Sequence, residues 1–250
     1  MDLGIAGRTA AVAAASGGLG FGSAAALVDA GVKVAICGRD QAKVDDAVAR
    51  LGGAEHAVGL VADVSTPEGA GGFVDAAIER LGSIDILVPN AGGPPAGTFA
   101  STDLDLYAPA LALNLLSTVA MCKVAVPPMQ SRGWGRVAAI TSSTVRQPNP
   151  ALILSNTART GVTAFLKTLA TEVAKDGVTV NSVQPGSHAT DRLRSLYGED
   201  LSGAAKGNPT GIVGDAGDFG AVVAFLCSEQ AKFVTGVAVP VDGGAYAGLQ

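Results

Sequence analysis

Seven short apolar runs, each bounded by glycine or polar turn residues, constrain this chain more than any other feature. They span 8–14, 33–37, 56–61, 84–89, 136–141, 179–184 and 237–241. Most are rich in Val, Ile or Ala and continuously apolar rather than alternating, the pattern of strands covered on both faces in a parallel sheet. Segments of helical length lie between them, at 18–30, 40–51, 66–81, 161–176 and 215–228. Alternating strands and helices imply right-handed crossovers, so the expected class is α/β with a doubly wound sheet. No linker, repeat or composition shift interrupts residues 1–250, which read as one domain with a large core.

Composition limits what such a domain binds. Charged residues make up only 16% and hydrophobic ones 48%, which implies extensive burial. The segment 103–129 is apolar on nearly every face, so a second copy of the chain is its expected cover, in a homodimer or homotetramer. A net charge of −5 without any Lys/Arg cluster argues against a nucleic-acid partner. The first apolar run is too short to span a membrane and too weakly charged at its flank for a secretory signal. Cys37, Cys122 and Cys227 are widely spaced and odd in number. They indicate neither a disulfide framework nor a metal site, and a reducing cytoplasm is the expected compartment. The polar, glycine-rich stretch 191–214 reads as a substrate lid, with a mobile surface excursion as the plain alternative.

Chemistry concentrates at the carboxyl ends of the apolar runs. The first run enters Ala14-Ala15-Ser16-Gly17-Gly18-Leu19-Gly20 and then a helix. Backbone N–H groups at a helix N-terminus attract a pyrophosphate, and glycine lets it approach closely. The second run ends in Cys37-Gly38-Arg39-Asp40. Gly38 leaves room where an acid would bind ribose hydroxyls, and Arg39 offers a planar cation for a 2′-phosphate, so the expected cofactor is NADP(H). The alternative for Arg39 is an ordinary surface pairing with Asp40. Later runs end in Asp63-Val64, in Pro89-Asn90-Ala91-Gly92, and in Pro185-Gly186 with Thr190 beyond; Val241-Asp242-Gly243-Gly244 follows the last.

In this order, over residues 3–244, these motifs resemble the short-chain dehydrogenase/reductase family, in a divergent branch similar to β-ketoacyl-carrier-protein reductases. The resemblance implies a Rossmann-type sheet of seven parallel strands in the order 3-2-1-4-5-6-7. It implies phosphate contacts from Ser16, Gly18, Leu19 and Gly20, and adenine contacts at Asp63 and Val64. Asn90, Ala91 and Gly92 would border the cofactor, with Pro185, Gly186 and Thr190 at the nicotinamide. Two departures stand out. Ala13-Ala14 replaces the family's Thr-Gly, tolerable if Ala14 keeps a negative φ. The family's catalytic Asn, Ser, Tyr and Lys become Asn114, Ser142, Ser155 and Arg159.

A serine hydroxyl is a far weaker acid than a phenol, and arginine does not relay protons, although its fork can hold ribose hydroxyls. Ser155 and Arg159 stand four apart, so both are expected to face one cleft. Ser142 and Ser143 would hold a carbonyl oxygen. His188 is the preferred substitute acid, with a packing role at the lid base as its alternative; Tyr107 and Tyr197 are further options, and His56 has no role. Two functions follow: NADP(H)-dependent reduction of a small-molecule carbonyl, with an activated alkene or imine as variant acceptor, or NADP(H) binding without turnover by a sensor or partner protein.

Overall fold

In a computed structural model, which describes residues 2–249 apart from the side chains of residues 192 and 196, strands and helices alternate along the chain. The strands are β1 (Thr9–Val12), β2 (Lys33–Gly38), β3 (Ala57–Val61), β4 (Ile86–Val88), β5 (Gly135–Ile140), β6 (Val178–Pro185) and β7 (Ala238–Val241). They form a single sheet in the order β3-β2-β1-β4-β5-β6-β7, with every pairing parallel. The helices are α1 (Gly18–Asp29), α2 (Gln41–Arg50), α3 (Pro67–Leu81), α4 (Tyr107–Leu111), α5 (Ser117–Arg132), α6 (Ile153–Val173), α7 (Asp191–Tyr197), α8 (Ser202–Ala205) and α9 (Ala216–Leu226).

The central strands β1, β2, β4, β5 and β6 bury both of their faces, while the edge strands β3 and β7 are only partly buried. Ala11 and Ala13 of the first run join Phe73, Met121 and Leu166 in the layer containing α3, α5 and α6. Ala10 and Val12 point the other way, to Leu27, Phe219 and Val223 in the layer containing α1 and α9. Phe73 and Phe219 are fully buried, each contributing about 1.5–3 kcal/mol relative to an exposed side chain. The strand order reverses between β1 and β4, and a doubly wound sheet opens a crevice at the carboxyl ends there.

Two expectations about elements are corrected. Helix α6 starts at Ile153, well before 161. Ser155, Asn156, Thr157 and Thr160 are weak helix formers and hide the start, but Leu154, Ala158, Val162, Leu166 and Ala170 recur every fourth residue and are buried. Tertiary burial, not propensity, extends the helix. The stretch 191–214 is not a plain loop, since it holds α7 and α8, with Thr190 capping α7 through Leu193 N–H. The segment 103–129 is buried on one side within a single chain. One side of the helix Leu104–Arg132, which is long and apolar enough to cross a membrane, is packed in the core through Met121, Cys122, Ala125, Val126 and Met129. Leu104 and Leu116 face outward. Between α4 and α5 the helix loosens into one π-type turn, Ala112–Leu116, around Asn114.

Candidate active site

The turn after β1 departs from expectation at Ala14. Its φ is +47°, and it is the one non-glycine residue in the left-handed region among the described residues. An alanine there costs about 1–2 kcal/mol relative to ordinary backbone. Hydrogen bonds from both neighbouring strands hold it: Ala14 N–H donates to Cys37 Sγ (3.3 Å), and Asn90 Nδ2 donates to the Ala14 carbonyl (3.2 Å). A Cβ at Gly20 would lie 2.6 Å from that carbonyl, so the helix closes onto the turn only because residue 20 is glycine. Gly17 provides no side-chain cap to α1, which leaves its first N–H groups for an anion.

At the end of β2 a Cβ on Gly38 would meet Ser16 Oγ at 2.8 Å and Val44 Cγ2 at 3.1 Å, so a side chain there would require Ser16 to rotate away. Arg39 is exposed. Asp40 does not pair with it; its carboxylate accepts Lys43 N–H (3.1 Å) and caps α2. Asp63 accepts Ser65 N–H (3.0 Å), and hydrogen bonding to Ser65, helped by the nearby Arg39 charge, holds its pKa below the ordinary 3.8. Val64 is buried beside it. A close backbone turn, a glycine at the end of β2 and the exposed Arg39 could together hold a dinucleotide at its adenosine end.

The second half of the cleft gathers around Gly92. Asn114 Nδ2 donates to the Gly92 carbonyl (2.8 Å), while Asn114 Oδ1 is buried and has no partner among the described residues. Arg159 reaches the same backbone. Its Nη1 donates to the carbonyls of Thr141 (2.9 Å) and Ile140 (3.3 Å), and its Nη2 to those of Gly92 (3.4 Å) and Ala91 (3.5 Å). Ser142, adjoining Thr141, accepts Thr144 N–H (3.2 Å), and its Oγ lies 2.9 Å from Thr144 Oγ1. Ser143 begins the one-turn helix Ser143–Val145. Ser155 is half-buried on α6, and its hydroxyl makes no hydrogen bond among the described residues.

Other candidates lie elsewhere. His188 is 5% exposed, with Nδ1 3.2 Å from the Gly186 carbonyl and its ring edge-on to Phe219 at 5.2 Å. Burial pulls its pKa below the ordinary 6.5. This is the geometry of a packed, neutral imidazole at the base of the 191–214 segment. Thr190 lies over the glycine turn, its methyl 3.6 Å from where a Cβ on Gly18 would stand. Pro185 ends β6, and Gly186 N–H donates to the Val241 carbonyl (3.0 Å). Tyr197 is largely exposed, Tyr107 half-buried, and His56 exposed before β3. Two residues escaped the sequence reading. Thr144 was signalled only by its spacing two beyond Ser142. Cys37 carried no signal, because its role depends on strand pairing.

Comparison with known proteins settles the relationship. A family model described as enoyl-(acyl carrier protein) reductase matches residues 13–246. Human dehydrogenase/reductase SDR family member 4 is 34% identical over 244 residues, covering 96% of this chain and 88% of that protein. The chain belongs to the short-chain dehydrogenase/reductase family. As a family member it is an oxidoreductase on a Rossmann-type sheet. The 3-oxoacyl-(acyl-carrier-protein) reductase of Vibrio cholerae is 30% identical over 240 residues, covering 96% of this chain and 98% of that one. L-sorbose reductase from Gluconobacter frateurii, solved with NADPH and L-sorbose, superposes with a TM-score of 0.92 at 28% identity over the whole of both chains.

Proposed function

We propose that the protein is an NADP(H)-dependent reductase of small-molecule carbonyls. The observation that carries this reading is the end of β2, where Gly38 offers no carboxylate, a side chain there would crowd Ser16, and Arg39 stands beside it without an ion-pair partner among the described residues. Ser16, Gly18, Leu19 and Gly20 would hold the pyrophosphate, Arg39 the 2′-phosphate, Asp63 and Val64 the adenine. Asn90, Ala91, Gly92, Pro185, Gly186 and Thr190 would border the nicotinamide. NADPH, when bound, supplies the hydride.

Ser142 orients the substrate. Its Oγ accepts Thr144 N–H and lies 2.9 Å from Thr144 Oγ1, so its own proton is available to a carbonyl oxygen when Thr144 Oγ1 is the donor of that pair. Ser155 is a poor acid, and Arg159 is tied to backbone carbonyls. A placed general acid contributes about 10²–10⁴-fold, so its loss slows proton delivery without abolishing catalysis by orientation. The apolar outer side of the helix carrying Leu104 and Leu116 supports assembly of copies into a dimer or tetramer.

The test is NADPH oxidation with a panel of ketones, aldehydes, enones and imines, for wild type and Ser142→Ala. Turnover that collapses in the variant supports the reductase. The replaced Ser155–Arg159 pair favours a second reading, a nucleotide-binding protein without turnover. Tight NADPH binding with no oxidation across the panel would establish it instead.

A further inference from the structure

The four carbonyls that Arg159 reaches belong to two neighbouring strands. Ala91 and Gly92 follow β4, and Ile140 and Thr141 end β5. The two strands stay paired up to the bond from Ile140 N–H to the Pro89 carbonyl (2.9 Å). Beyond it no backbone bond joins the two strands among the described residues: Thr141 N–H belongs to the β5–β6 ladder, donating to the Val183 carbonyl, while the Gly92 carbonyl takes Asn114 Nδ2. Carbonyls beyond the last ladder bond need donors or water, and a half-buried site restricts water.

We propose that Arg159 is a positioning residue that staples the diverging ends of β4 and β5, and so fixes the Ala91–Gly92 backbone bordering the nucleotide cleft. The chemistry of the fork is decisive. One guanidinium presents two nitrogens in a rigid plane, one directed to each strand. A lysine has a single nitrogen on a flexible stem, so its three donors radiate from one point and reach fewer of the four carbonyls. Asn114 meets the same loop at Gly92, so two side chains from different helices hold one peptide. Arg159 therefore acts on the cofactor through the backbone rather than by donating a proton. This inference rests on the proposal that the cleft takes NADP(H).

The test compares wild type with Arg159→Lys and Arg159→Ala by NADPH affinity from nucleotide fluorescence, by hydrogen exchange at the amides of residues 91–93 and 141–143, and by kcat and KM where turnover exists. The staple predicts faster exchange at both strand ends in each variant. It also predicts NADPH affinity at least about tenfold weaker, with Arg159→Lys recovering less than about threefold of that loss. Wild-type affinity and exchange in Arg159→Lys would overturn the proposal, because charge alone would then suffice. A fall in kcat with affinity and exchange unchanged would overturn it too, by assigning Arg159 to the chemistry. If Arg159→Ala does not fold, the lysine variant alone decides. If wild type binds no NADPH, the cofactor reading fails, while the exchange measurements still decide whether the strand ends are stapled.

Discussion

Replacing Arg39 with alanine isolates the feature on which cofactor choice depends. Arg39 is exposed, while Asp40 is occupied in capping α2. A hydrogen bond to a charged group contributes about 1.5–3 kcal/mol, which corresponds to about 10–150-fold in affinity. Solvent exposure discounts this, so the expected loss of NADPH affinity lies at the lower end, about 10–30-fold. A second effect has the same sign. Asp63 is held ionised by Ser65 and by the Arg39 charge, so Arg39→Ala leaves a carboxylate near the incoming phosphate with less compensation. NADH lacks that phosphate, and its affinity should change by less than about threefold. Titrating both nucleotides by fluorescence at low and high salt gives the answer. The NADPH advantage should shrink in the variant and lose most of its salt dependence, because screening acts on exposed charges. Adding Asp63→Asn to Arg39→Ala should restore part of the NADPH affinity. A preference for NADPH over NADH that survives Arg39→Ala would refute the assignment.

Two further outcomes follow from the backbone and the buried imidazole. Ala14→Gly should relieve about 1–2 kcal/mol of left-handed strain against about 0.4–1 kcal/mol for the greater freedom of glycine in the unfolded chain. A net gain of about 0.5–1 kcal/mol raises Tm by about 1–4 °C in a chain of this size, and an unchanged or lower Tm by differential scanning would contradict the strain. His188 has a folded pKa depressed below its ordinary 6.5 by burial. The unfolded state thus takes up the proton first, so the stability from the neutral ring is complete above about pH 6.5 and is lost as pH falls below it. Tm measured from pH 7.5 to 5 should fall less steeply in His188→Gln than in wild type, whereas parallel curves would exclude this role. Asp63 stays out of that window, since its pKa lies below 3.8.

The features readable in advance were those that local composition encodes. The apolar runs located all seven strands, because most positions of strands covered on both faces, and the inward positions of the edge strands, need apolar residues. The glycine turn and the residues ending each run could be placed because parallel crossovers bring every strand's carboxyl end to one edge. The start of α6 was hidden, because burial of Leu154 and Ala158 outweighed the weak helix formers around them.

The chain's own order of residues determined its α/β class and its family motifs, and placed Ser155 and Arg159 four apart on one helix, since each resides in short stretches whose chemistry is legible locally. Tertiary structure alone decided what the replacements do. Ala14 is forced to positive φ by partners on β2 and β4 that are remote in sequence. Arg159 spans carbonyls 18–68 positions away. His188 is set against Phe219. Hydrogen bonds and desolvation depend on distance in space, and only the closed sheet brings those groups within reach of one another.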